Sequence, residues 1–229
     1  MENRFFNREL SWLEFNNRVL DQALNKDIPL LERLQFLSIV SSNFDEFFQV
    51  RLASVKRSLF ENPDYTDPSG LTPRMLLSAI SARAHQILFT QQECLTNEIL
   101  PSLKKKGFIY VPQNQYNPTQ KEYLQNIFRS NIYPLLTPQR ANNTEFPNIK
   151  NLSLYAGFLL EPMAGIRNQN IPDQLSGKNE ESKIAFVEIP TSLPGLYWLP
   201  SASSKDKEFT LITDIIKECG TRLFPGLNV

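Results

Sequence analysis

The 229-residue sequence is poor in the residues that usually announce chemistry. Its two cysteines, Cys94 and Cys219, lie too far apart for a metal or redox spacing, so two reduced thiols in a cytoplasmic protein are expected. His85 is the single histidine, and one histidine with two distant cysteines builds no recognisable metal site. Neither a GxxxxGK[ST] nor a GxGxxG run occurs, so no self-contained phosphate cradle is readable. Excess charge is missing too. Lysines and arginines number 24 against 24 acids, split 13 to 13 over residues 1–107 and 11 to 11 over residues 108–229. That balance excludes the bulk basic footprint of a nucleic-acid binder. No apolar run approaches the roughly 20 residues that span a bilayer, and MENRFFNREL has no apolar core of a secretory signal. Peripheral membrane association is left open.

What is present is patterned. Residues 1–107 read as a helical domain. Ser11 and Glu14 have capping-box spacing, and Trp12, Phe15, Val19 and Ala23 then share a face. Pro29 suits the first turn of a second helix that turns Leu30, Leu31, Leu34 and Leu37 inward. After a loop at residues 62–73, Thr72 caps a long helix carrying Leu76, Ile80, Ala84, Ile87, Gln91, Leu95 and Ile99, with a kink or a break expected at Pro101. Lys104 to Lys106 and then Gly107 match the negative helix end and the left-handed cap.

Residues 108–229 change character. FIYV, NLSLYAGFLL, KIAFVEI and YWLP are strand candidates, Asn117-Pro118 opens one helix, and Thr210 to Leu223 form another. A polar loop is expected at residues 161–183. The fold class predicted is α+β: an N-terminal antiparallel helical bundle followed by a smaller mixed α+β domain.

The stretch SIVSSNFDEFFQVR, residues 38–51, raises the functional question. Three weak helix formers, Ser41, Ser42 and Asn43, interrupt an apolar run. Ser42 and Asp45 have the spacing of an N-cap pair that restarts a helix, with Phe44, Phe48, Leu52, Val55 and Leu59 as its buried stripe. Asn43 then reads two ways. It is a first-turn residue, or a free amide offering the donor and acceptor that an adenine edge needs, at a helix start that favours phosphate. Arg51 likewise reads as a snorkelling or ion-paired arginine, or as one reaching an anion. His85 in mid-helix reads as structural, and the KKK run as a solvated helix end.

RFFNRELSWLEFNNRVLDQA and PLLERLQFLSIVSSNFDEFFQVRLASVKR resemble, nearly continuously over residues 4–57, the N-terminal domain of bacterial polyphosphate kinase of the long-chain, histidine-phosphorylated type. FPNIKNLSLY, KIAFVEIP and RLFPG resemble the same family's head domain. The resemblance implies an N-terminal fragment, with residues 1–107 covering a nucleotide site and residues 108–229 forming a head domain associated with dimer contacts. It implies reversible transfer of the terminal phosphate of ATP to polyphosphate through a phosphohistidine, with Mg2+, in a cytoplasmic homo-oligomer. ATP, ADP and polyphosphate are the implied partners. It places an ATP contact at Asn43 and no catalytic residue or metal ligand in this chain. His85 matches none of the family's catalytic motifs, and the isolated fragment is expected to be inactive. Thr144 stands where the family usually has a histidine. The alternative is a free-standing, non-catalytic module for oligomerisation or protein interaction.

Overall fold

A computed structural model of the chain describes residues 5–141, 146–162, 184–203, 205–225 and 227–228. These group into two compact units, Met1–Lys106 and Gly107–Val229. The fold is α+β, helices first and a mixed unit after.

In the first unit, α1 (Arg8–Leu24) begins one turn earlier than its Ser11–Glu14 pair suggests. Asn7 is the cap: its Oδ1 accepts from the Glu9 and Leu10 amides at 2.9 and 3.1 Å, while its Nδ2 donates to Asp67 Oδ2 at 2.6 Å. Ser11 and Glu14 are therefore helix-interior residues, and Glu14 turns outward to Arg83. The buried positions are Leu13, Asn16, Leu20 and Ala23. That stripe is rotated from the expected one and leaves Phe15 48% exposed.

The second correction concerns the Ser-Ser-Asn stretch. α2 (Leu30–Glu46) runs straight through it into a π-helical segment, Phe47–Leu52, and on into α3 (Ala53–Glu61). Ser42 and Asp45 cap nothing. Each weak former lowers helix stability by only about 0.5 kcal/mol, and tertiary partners outweigh that. Leu37, Val40, Phe44 and Phe47 are buried, and Ser41 accepts from Gln91 Nε2 at 2.8 Å. Phe47 takes the core position expected of Phe48, which is 38% exposed. Leu37 is buried as expected, whereas Leu31 is exposed.

Thr72 caps α4 (Pro73–Glu93), accepting from the Met75 amide, and Leu76, Ile80, Ala84 and Ile87 are buried along it. Instead of a break at Pro101, a π-helical segment (Cys94–Ile99) leads into α5 (Leu100–Lys105). The wider turn accommodates a proline that lacks an N–H and crowds the carbonyl four residues back. The path ends where the sequence predicts. Gly107 has φ of +85°, and a Cβ there would lie 3.1 Å from the Lys205 carbonyl.

In the second unit, β1 (Phe108–Tyr110) pairs parallel with β7 (Lys207–Leu211), Phe108 opposite Lys207, and β6 (Leu196–Trp198) covers the other edge of β7. A second sheet orders β2 (Pro138–Arg140), β5 (Ile184–Ile189) and β3 (Leu154–Leu159), all antiparallel. β4 (Glu161–Pro162) pairs with β8 (Leu227–Asn228). The rest of the expected polar loop lies outside the described residues, as does Thr144. α6 (Pro118–Ile127) carries the expected Asn117 cap, completed as a box by Gln120. The last helix is shorter than predicted. Thr210 and Leu211 belong to β7, so α7 covers only Ile212–Cys219 before a 3-10 turn, Gly220–Leu223. Its apolar face, with Ile215, Ile216 and Cys219, joins Leu124, Phe128, Ala185 and Val187 in this unit's core.

Candidate functional site

The stretch that raised the functional question lies along the seam between α1 and the α2–α3 path. Three rungs descend α1 as they climb its neighbour. At the first, Arg51 Nη1 donates to Glu9 Oε2 at 3.3 Å, and the guanidinium carbon lies 5.9 Å from the Trp12 ring centre. At the second, Trp12 stacks on Phe47 at 4.6 Å and meets Phe44 edge-on at 6.4 Å. At the third, Asn43 Nδ2 donates to Asn16 Oδ1 at 2.9 Å. The pairs recur every three to four residues on both helices because i, i+3 and i+4 positions share a helical face.

These rungs give Arg51 and Asn43 partners within the unit. Arg51 is the ion-paired, aromatic-stacked arginine, half-buried with its chain along apolar surface. Asn43 is half-buried and engages one N–H inside the unit. Its carbonyl oxygen accepts from no described residue. Because the helix passes through this point without a terminus, the partial positive charge expected from a helix start is not available to Asn43.

Asn16 and Arg33, both buried, escaped the sequence reading. Asn16 is fully buried, and its Nδ2 donates to the Val40 carbonyl at 3.3 Å. The available signal was its place three residues after Leu13 and four before Leu20, a polar side chain inside an apolar stripe. Arg33 is also buried. Its Nε donates to the Ala23 carbonyl at 2.6 Å and its Nη2 to Glu98 Oε2 at 2.7 Å. Hydrogen bonding to Arg33 holds the Glu98 carboxyl below its ordinary range despite some burial. Burial pushes the Cys94 thiol beside them up, against the pull of the guanidinium. No sequence signal pairs residues 33 and 98 in advance.

His85 is exposed on α4, with Nδ1 2.7 Å from the Ser81 carbonyl one turn back. Among the described residues, no group of three or more His, Cys, Asp or Glu is placed to hold a metal ion. No helix among them is long and apolar enough to cross a membrane.

Against known proteins, residues 5–111 match the polyphosphate kinase N-terminal domain and residues 119–229 the polyphosphate kinase middle domain. The polyphosphate kinase of Lactiplantibacillus plantarum is 38% identical over 229 residues, all of this chain and 30% of that protein. That of Bacillus anthracis is 36% identical over 227 residues, 97% of this chain and 30% of the relative. The crystal structure of polyphosphate kinase from Porphyromonas gingivalis superimposes with a TM-score of 0.80 at 28% identity, covering 98% of this chain and 31% of that one. The chain thus spans about 30% of the length of the curated relatives it matches. With both domain models matched in order along a helical unit and a mixed one, the chain belongs to the polyphosphate kinase family.

Proposed function

We propose that this chain is the nucleotide-contacting, non-catalytic N-terminal portion of an enzyme that transfers the terminal phosphate of ATP reversibly to polyphosphate. Asn43 touches the nucleotide, the second unit supplies dimer contacts, and the phosphohistidine chemistry belongs to parts of the enzyme outside these 229 residues. The observation that carries the reading is the state of Asn43. It is half-buried and held by Asn16 on one side, with a carbonyl oxygen that no described residue uses. A held, half-engaged amide is suited to a base edge because little rotamer freedom remains to be lost on binding.

His85 carries no phosphoryl group in this reading, since it sits on the outer face of α4 against the Ser81 carbonyl. Mg2+ would support the reaction by neutralising phosphate charge, and the proposal places none of its ligands on this chain.

The test is Asn43→Ala in the complete enzyme. Loss of one hydrogen bond, on the order of 1 kcal/mol, raises the KM for ATP about fivefold. Unchanged KM and kcat would return Asn43 to a purely structural part.

A further inference from the structure

Asn16 makes two hydrogen bonds of opposite polarity while 0% exposed. Its Nδ2 donates to the Val40 carbonyl at 3.3 Å, and its Oδ1 accepts from Asn43 Nδ2 at 2.9 Å. A backbone carbonyl can only accept, so the Asn16 atom facing Val40 has to be the nitrogen. The oxygen then faces Asn43, which has to answer with its own nitrogen. Turning the Asn43 amide over would set oxygen against oxygen. The direction of the whole relay is therefore dictated by a main-chain group that cannot rotate.

No buried side-chain nitrogen or oxygen among the described residues lacks a partner. Oδ1 of Asn43, which accepts from none of them, is therefore not fully buried, and an amide nitrogen with one N–H spent on Asn16 retains a second. What Asn43 offers outward is an acceptor and a donor in a fixed order. A 6-amino purine presents the complement, an N–H donor at the 6-position next to a ring-nitrogen acceptor. A 6-oxo purine presents an oxygen at that position, which would oppose Oδ1. A freely turning asparagine could serve either base by flipping, and an anchored one cannot.

We propose that Asn16 is a positioning residue that locks the amide polarity of Asn43 and so makes the nucleotide site prefer 6-amino over 6-oxo purines. This rests on the reading of Asn43 as a nucleotide contact.

The test uses the complete polyphosphate kinase that carries this chain and compares kcat/KM for ATP with that for inosine triphosphate. Destabilisation alone lowers both values together and leaves their ratio unmoved, so the ratio isolates the positioning role. Asn16→Leu and Asn16→Ala free the Asn43 amide, and each is expected to reduce the preference for ATP about fivefold, the equivalent of one hydrogen bond. Asn16→Asp still turns an acceptor toward Asn43 and is expected to keep the ratio, even in a less stable protein. A wild-type ratio in both the Leu and Ala variants, alongside a reduced one in Asn43→Ala, overturns the role of Asn16 and leaves Asn43 as a contact. If Asn43→Ala also leaves the ratio unmoved, the contact itself is lost as a reading, and the positioning role with it.

Discussion

Nη2 of Arg33 donates to Glu98 Oε2 across 2.7 Å, joining α2 to the π-helical segment that follows α4, 65 residues later in the chain. The same guanidinium reaches the Ala23 carbonyl through Nε, in the last turn of α1, where carbonyls lack helical partners. One buried cation thus ties three helical elements together. Replacing it with Met or Ala leaves the Ala23 carbonyl with only the weak Cys94 thiol donor at 3.7 Å and a partly buried carboxylate without its ion-pair partner, and is expected to lower stability by about 2–4 kcal/mol. Arg33→Lys should recover little of this, because Arg33 reaches its two acceptors from separate nitrogens, Nε and Nη2, and an ammonium has only one. Urea denaturation of the variants measures it, and a loss within about 0.5 kcal/mol of zero would show the pair to be incidental.

The capping assignments make a paired prediction. Asn7→Ala removes the side chain that satisfies two amides of α1 and is expected to lower stability by about 1–2 kcal/mol. Ser42→Ala touches no cap, because α2 passes through it, and is expected to be neutral or stabilising by a few tenths of a kcal/mol. Thermal melts of the two variants decide the matter. A Ser42→Ala loss as large as that of Asn7→Ala would restore a helix boundary at the Ser-Ser-Asn stretch.

Asp67 carries a pH dependence. Burial raises its pKa, but hydrogen bonds from the Ser69 hydroxyl, the Leu71 amide and Asn7 outweigh it, so its pKa lies below the ordinary 3.8. A depressed carboxyl pKa contributes stability that is fully present above the unfolded value and is lost as pH falls through the folded one. Asp67→Asn turns an N–H toward Asn7 Nδ2 and is expected to lower stability by about 1 kcal/mol at neutral pH. Denaturation curves should show the gap between wild type and variant narrowing below pH 3.8. A gap independent of pH would assign the effect to packing instead.

Both thiols should be slow to react. Cys94 and Cys219 are buried, and burial pushes Cys219 up to about 11 and raises Cys94 as well. Because the thiolate is the reactive form, a thiol reagent near pH 8 is expected to label the folded protein much more slowly than the urea-unfolded one. Equal rates would contradict the burial.

Incubated with ATP labelled on its terminal phosphate, the isolated chain is expected to take up no label. Its single histidine is exposed and rests against Ser81. Stable label at His85 would overturn the non-catalytic reading.

Local chemistry carried the sequence reading a long way. Thr72 before Pro73, Asn117 before Pro118 and Gly107 after three lysines mark helix ends through hydrogen bonds or backbone angles that span only a few residues. The four apolar strand runs likewise fall on strands. Asn43 and Arg51 stood out in the sequence, but their partners did not. Asn16 and Glu9 lie 27 and 42 residues away, and only the Leu13–Leu20 spacing marks Asn16 off from Asn17.

The failures share one cause. Ser41, Ser42 and Asn43 are locally poor in helix propensity by an amount that Phe44 and Phe47 in the core, and Gln91 on Ser41, easily exceed. KEFTL, at residues 207–211, is the central strand of its sheet, paired with Leu196 to Trp198 on one edge and with Phe108 to Tyr110, a hundred residues earlier, on the other. By itself the sequence determined composition class, the helix caps at Thr72 and Asn117, most element positions and the family. Only the tertiary structure decided that the helix continues through Asn43, that Arg51 belongs to Glu9, and which way the Asn43 amide points. Those are settled by hydrogen bonds between residues far apart in the chain, and the last of them by a carbonyl on Val40 that can accept but never donate.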